Sequence, residues 1–166
     1  MRTGSKFNAR QRGFGMIEAL VAMIVLSISL LGLAGLQVAG ARMNYNAYLH
    51  SQAAMVAQDM FERIRGNPNG NYVIGMNAGL PAGDSDCTGP GVNCDADALA
   101  RYDLVYMKCA LGLFSGAELC INRNHQGQLP EGDGSIAVNG RVYTLTVQWF
   151  DTAENGNKTF VFTATI

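Results

Sequence analysis

One carboxylate stands where carboxylates are costly. Glu18 lies five residues after Gly13, at the head of a run from Ala19 to Ala41 in which 23 consecutive residues carry no charge. A bilayer core about 30 Å thick needs roughly 20 helical residues to cross it, so this run can span a membrane. An acidic side chain at the centre of such a span costs on the order of 2.5–3.5 kcal/mol and marks a function or a partner. The chemistry open to Glu18 is therefore electrostatic: an anion beside an apolar span, in need of a cation.

The other residues able to do chemistry are four cysteines, two histidines and a group of aspartates. Cys87, Cys94, Cys109 and Cys120 in an exported domain imply two disulfides. Sequence alone permits three connectivities, and proximity favours Cys87 with Cys94 and Cys109 with Cys120, each closing a short loop and contributing roughly 2.5–3 kcal/mol. A metal site is the rival reading. It has no C-x-x-C pair to build on, and His50 and His125 are isolated, so neither metal nor cofactor is expected. Asp84, Asp86, Asp95 and Asp97 lack the spaced oxygen ligands, glycine and glutamate of a calcium loop and read as solvated charges. Ser135, Asp151 and the histidines form no nucleophile motif, and there is no phosphate-cradling G-x-x-x-x-G-K. Nothing points to an enzyme.

The elements that must hold these residues start with the apolar run. Arg2, Lys6, Arg10 and Arg12 precede it, and a positive flank stays cytoplasmic, which puts everything after Arg42 outside. The helix continues beyond the span, because Asn44 to Gly66 carries a stripe at Leu49, Ala53, Val56, Met60 and Ile64 with steps of three or four residues. Met55, Met60 and Phe61 read as buried packing residues. Gly66 followed by Asn67-Pro68 stops the helix. A run from Phe14 to Arg65 is 52 residues, about 78 Å at 1.5 Å each.

From Asn67 to Cys94 the chain is rich in glycine, asparagine and proline and reads as loop, with Tyr72 to Ile74 its one strand-like piece. A second helix is expected from about Asp95 to Phe114, with Leu99, Tyr102, Tyr106, Ala110 and Leu113 on one face. The last third reads as a β-meander: Ser135 to Val138, an Asn139-Gly140 turn of type I′, Arg141 to Asp151, a loop through Asn155-Gly156, and Lys158 to Ile166. Tyr143, Leu145, Val147 and Trp149 alternate to one face, as do Phe160, Phe162, Ala164 and Ile166, and that face should pack on Leu49 to Ile64. The fold class is α+β, with a long amino-terminal helix packed on a carboxy-terminal antiparallel sheet.

The stretch RGFGMIEALVAMIVLSISLLGLAGLQ, from Arg12 to Gln37, resembles the amino terminus of type IV prepilins. Within them the segment LLGLAGLQ, Leu30 to Gln37, is similar to that of minor pilins of the PilV kind. The resemblance implies a pilin-like fold, cleavage by prepilin peptidase between Gly13 and Phe14, and methylation of the new terminus at Phe14. It divides the chain into a basic leader (1–13), a membrane or filament-core half of the long helix (14–41) and a periplasmic head (42–166). Two positions depart from the family pattern: Gly15, where many pilins carry threonine, and Gly35, where major pilins often carry a kinking proline. The implied partners are other minor pilins, the major pilin, the prepilin peptidase and an inner-membrane assembly platform. The implied location is the bacterial inner membrane as a single-pass protein, and then the pilus, at or near its tip.

Cleavage after Gly13 would give Phe14 an α-amino group that is cationic at neutral pH, with a typical pKa near 7.7–8.0. In a stack of parallel staggered helices, Glu18 of one subunit meets that amine on another, and the uncleaved chain has no amine to offer. Loss of the leader leaves 8 basic and 13 acidic residues, a net charge of −5, which argues against nucleic acid as a direct partner. Two alternatives share much of this pattern. One is a minor pseudopilin of type II secretion, which uses the same leader. The other is a secreted or single-span binding protein with a prepilin-like signal; Ala39-Gly40-Ala41 is an A-x-A-like cleavage site that would leave Arg42 as the terminus.

Overall fold

A computed structural model of the chain describes residues 15–83, 86–89, 91–125, 127–152 and 154–166. Three helices and three strands follow one another: α1 (Met16–Gly66), α2 (Ala96–Leu111), α3 (Glu118–Asn122), β1 (Asp133–Asn139), β2 (Val142–Asp151) and β3 (Gly156–Thr165). The chain divides into two compact units, with the boundary between Met43 and Asn44.

The 51 residues of α1 carry Glu18 in the first turn and Arg63 and Arg65 in the last, each charge suited to the helix dipole at its end. The helix stops at Gly66, because Pro68 disfavours helical geometry at Asn67; the Asn67 N–H still donates to the carbonyls of Arg63 and Ile64. Its best 18-residue window has a mean hydropathy of 2.5. In the first unit these apolar side chains are exposed, from Met16 and Ile17 to Leu36 and Val38.

In the second unit the expected stripe of Leu49, Ala53, Val56, Met60 and Ile64 is buried, joined by Ala57 and Phe61. Met55 departs from the expectation: it is 53% exposed, because it sits one step around the helix from the face that meets the sheet. Opposite lie Ile136 of β1 and Leu145, Val147 and Trp149 of β2, in one core with Tyr72, Ile74 and Leu129. Fully burying an aliphatic side chain of this kind contributes about 1.5–3 kcal/mol.

The sheet is antiparallel in the order β1-β2-β3. The first hairpin differs from the I′ expectation, because Asn139 pairs with Val142 and so the turn residues are Gly140 and Arg141. Of these two, Gly140 alone has positive φ, at 61°, the pattern of a type II′ turn, which needs glycine at its first central position. The inward residues of β3 are only partly covered: Phe162, Ala164 and Ile166 pack against the core at half-burial, and Phe160 is 40% exposed.

The second helix is shorter than expected and turned on its axis. Asp95 is its cap, accepting from the Ala98 N–H at 2.7 Å. Gly112, with φ of 128°, ends it after Leu111. Ala100, Leu104, Met107 and Leu111 face the main core together with Ala110 of the expected face, while Leu99, Tyr102 and Tyr106 are only half-buried and Leu113 is 44% exposed. The rotation has a polar cause, since Asp103 and Lys108, which a hydropathy pattern assigns to water, are both buried and ion-paired. The Tyr72–Ile74 piece forms a single bridge, Ile74 with Ile136, rather than a strand.

Candidate assembly site

The first described turn of α1 is closed by the Glu18 and Ala19 N–H groups donating to the Gly15 carbonyl, at 3.0 and 3.3 Å. Glu18 is exposed there, and among the described residues no ion pair reaches it. Gly13 and Phe14, the residues of the expected cleavage and methylation, lie outside the described residues, and so does one half of the expected charge pair.

Around and beyond Glu18 the helix is prepared for apolar surroundings. Ser27 and Ser29 turn their hydroxyls back onto the carbonyls of Met23 and Val25 at 2.7 and 2.9 Å, so neither presents an unsatisfied group to lipid or to another helix. A Cβ added at Gly32, Gly35 or Gly40 would meet nothing within 4 Å. The chain's own packing therefore places no demand for glycine at these positions. An apolar exposed helix of this length requires lipid or other helices around it.

The second unit is locked by two polar networks that the sequence pattern did not reveal. Lys108, fully buried, donates to Asp133 Oδ1 at 2.6 Å and to the Gly75 carbonyl at 3.1 Å. Asp133 Oδ2 accepts from the Asn77 N–H at 2.6 Å. One ion pair thus ties α2, β1 and the loop at 75–77. In the other network Asp103 accepts from Arg63 Nη1 at 2.9 Å and from the Tyr72 hydroxyl at 2.7 Å. Burial, and then the bond to Asp103, push the Tyr72 hydroxyl well above the usual tyrosine range. Asn67 donates to the Tyr72 oxygen and to the Ala96 carbonyl, at 3.2 and 2.7 Å. The only sequence signal for either network was Asp59 four residues before Arg63, whose Nε it does receive at 2.8 Å.

The cysteines join as Cys87 with Cys94 and Cys109 with Cys120. The second pair is fully buried, in a small cluster with Val105. The described aspartates near the first disulfide accept hydrogen bonds from the backbone around them. Asp86 accepts from the Thr88 N–H and hydroxyl, which hold its carboxyl below the usual range, and Asp97 accepts from the Asn71 N–H at 3.0 Å. Asp84 lies outside the described residues. Among the described residues no three histidine, cysteine, aspartate or glutamate side chains gather as a metal site would require. His50 packs on Trp149 and Phe160 with ring centroids 5.1 and 4.5 Å away.

His125 meets the edge of Tyr106 at 4.8 Å, beside an open cleft of about 660 Å³ whose walls include Tyr48, Gln52 and Gln128. Burial, then the charges of Arg123 and Arg63, lower its pKa.

The decisive segment is thus an exposed apolar helix with one acid in its first turn. Residues 8–34 match the prokaryotic N-terminal methylation motif, and residues 35–105 match the family of type IV pilin Tt1218. The two matches abut and together run from residue 8 to residue 105. The chain belongs to the type IV pilin family. No curated protein and no solved structure matches it. Pilins are structural proteins anchored by this helix in the membrane, processed by prepilin peptidase and assembled with other pilins. The pilin match ends within α2, so the sheet of this pilin lies beyond it.

Proposed function

We propose that this pilin is a minor type IV pilin of the PilV kind, inserted in the inner membrane with its head in the periplasm. It is cleaved after Gly13, methylated at Phe14, and joined with other minor pilins into a complex that primes pilus assembly at what becomes the tip. The observation that carries this reading is Glu18, the lone charge from Gly15 to Ala41 of an exposed apolar helix. The leucine- and glycine-rich segment Leu30 to Gln37 supports the minor-pilin reading over an abundant major pilin.

Cleavage creates the cation that Glu18 lacks. A unit charge pair at 4 Å interacts by about 4 kcal/mol at an effective dielectric of 20, before desolvation is subtracted. Helix packing in an apolar medium discriminates weakly among registers, because lipid tails are as apolar as leucine; one amine-to-carboxylate contact per neighbour supplies the missing register. Mass spectrometry of the amino terminus of the mature protein tests the first step. Methylated Phe14 is the expected result; a terminus at Arg42 or an intact Met1 overturns it. Deletion of the gene should remove surface pili and leave exported enzymes unchanged, and the reverse outcome assigns the chain to a secretion pseudopilus.

A further inference from the structure

The open cleft beside His125 has walls of one chemical kind. Tyr48 and Gln52 stand one turn apart on α1, and Tyr106 and Ala110 one turn apart on α2, so each helix turns one face to the cleft. Asn124, His125 and Gln128 complete the wall. These residues are held in place by the fold itself: the His125 N–H donates to the Cys120 carbonyl at 3.0 Å, and the Gln128 N–H to the Ala110 carbonyl at 2.9 Å. A Cβ added at Gly127 would come within 2.4 Å of the Gly112 Cα. Arg63 covers the Tyr106 ring at 4.1 Å, and the His125 ring meets it at 90°.

Besides His125, five uncharged polar side chains line the cleft with nothing to bond. The amides of Gln52, Asn124 and Gln128 and the hydroxyls of Tyr48 and Tyr106 make no hydrogen bond among the described residues. No aspartate, glutamate, lysine or arginine among the described residues lines it, and burial, with the charges of Arg123 and Arg63, keeps His125 neutral at neutral pH. A charged ligand would find no counter-ion there. Tyr48 is 54% exposed and its ring meets no other among the described residues, which leaves an aromatic face free. The cleft is continuous with two smaller hollows. One of about 260 Å³ shares Gln52, Tyr106 and Gln128 with it, and another of about 370 Å³ shares Asn124, His125 and Gly127. Asp59, in the first of these, is already paired with Arg63 at 2.8 Å.

We propose that this groove binds a neutral oligosaccharide, with the Tyr48 ring against the CH face of one sugar and the Gln52, Asn124 and Gln128 amides on the hydroxyls of that sugar and its neighbours. Each amide both donates and accepts, as a sugar hydroxyl does, and the CH face of a sugar ring suits an aromatic surface. The cleft's volume of about 660 Å³ lies within the range of roughly 300–1,000 Å³ usual for ligand sites. The two flanking hollows extend it from room for one ring to room for a chain of them. An extended peptide is the rival occupant, but main-chain capture uses a strand edge, and these walls are two helix faces and a loop. An apolar ligand would cover the three amides and leave them unpaired, which is costly. The inference stands on the head alone and does not depend on the minor-pilin reading.

The test uses the full-length protein in a detergent without a sugar headgroup, titrated calorimetrically with maltopentaose, cellopentaose and chitopentaose, all uncharged. At least one should bind, and added salt should leave its affinity unchanged, because no ion pair is there to screen. Preference for chitopentaose assigns N-acetylated chains and preference for either of the others assigns plain glucans; both outcomes support the proposal. Gln52→Ala and Gln128→Ala should each weaken binding about tenfold, the effect of one lost hydrogen bond. Tyr48→Phe should keep more of the affinity than Tyr48→Ala, because the ring remains. Val73→Ala, 59% exposed elsewhere on the head, should change nothing. Trp149 fluorescence should show the wild-type melting curve for every variant, which separates lost binding from lost folding. No binding of any of the three sugars at about 1 mM overturns the proposal. So does tighter binding of a sulfated oligosaccharide or of an alanine pentapeptide, and so does sugar binding that Gln52→Ala and Gln128→Ala leave intact.

Discussion

Replacing Lys108 by alanine should unfold the head more readily than any exposed-charge substitution. In the folded chain Asp133 is buried and its carboxylate is held by the Lys108 ammonium at 2.6 Å and the Asn77 N–H at 2.6 Å. Without Lys108 the carboxylate keeps one neutral donor, the Gly75 carbonyl loses its partner, and a long side chain leaves a void between α2 and β1. Removing one member of a buried pair costs about 3–5 kcal/mol, a fall of about 12–20 °C in the melting temperature of a domain this size. Trp149, the single tryptophan and 2% exposed, reports the transition by fluorescence in urea or on heating. The double variant Lys108→Met with Asp133→Asn should recover much of the loss, because methionine refills the volume and no charge remains buried. A loss below about 1 kcal/mol for Lys108→Ala, the range of exposed pairs, would refute the claim that this pair locks α2 to the sheet.

Two further outcomes follow from burial. The lowered pKa of His125 means that the unfolded chain binds its proton first, so head stability should be constant above about pH 6.5 and decline as the pH falls below it. His125→Gln should flatten that decline in urea melts taken across the range, and an unchanged slope would refute it. Under mild reductant, Cys87 and Cys94, only half-buried, should become alkylated well before the fully buried Cys109 and Cys120, as read by mass spectrometry of timed samples; simultaneous labelling would count against local protection.

The long helix was legible because its signals are local. An apolar run of membrane length, a stripe at steps of three and four, and Gly66-Asn67-Pro68 at the end leave little else for residues 16–66 to do. Leu145, Val147 and Trp149 were legible through strict alternation, all three being buried. The face of α2 was not legible, because its placement depends on where Lys108 and Asp103 find partners. Those partners, Asp133, Arg63 and Tyr72, stand 25, 40 and 31 residues away. The hairpin turn was displaced by one residue, since Asn-Gly fits both a I′ turn at its own two residues and a II′ turn beginning at the glycine. The five-residue α3 gave no periodicity to read. At the assembly site the chemistry of Glu18 was readable from a charge in an apolar run, while its counter-charge, on the reading proposed above, belongs to another molecule.

That charge pair is open to one direct measurement: the incorporation of Glu18→Ala into filaments beside the wild-type chain, with the mature terminus read in the same samples. Processing at Gly13 should continue, because the carboxylate lies beyond the scissile bond, and the processed protein should accumulate in the membrane while its amount in sheared pili falls sharply. Normal incorporation of processed Glu18→Ala would contradict the pairing of Glu18 with the Phe14 amine of a neighbour.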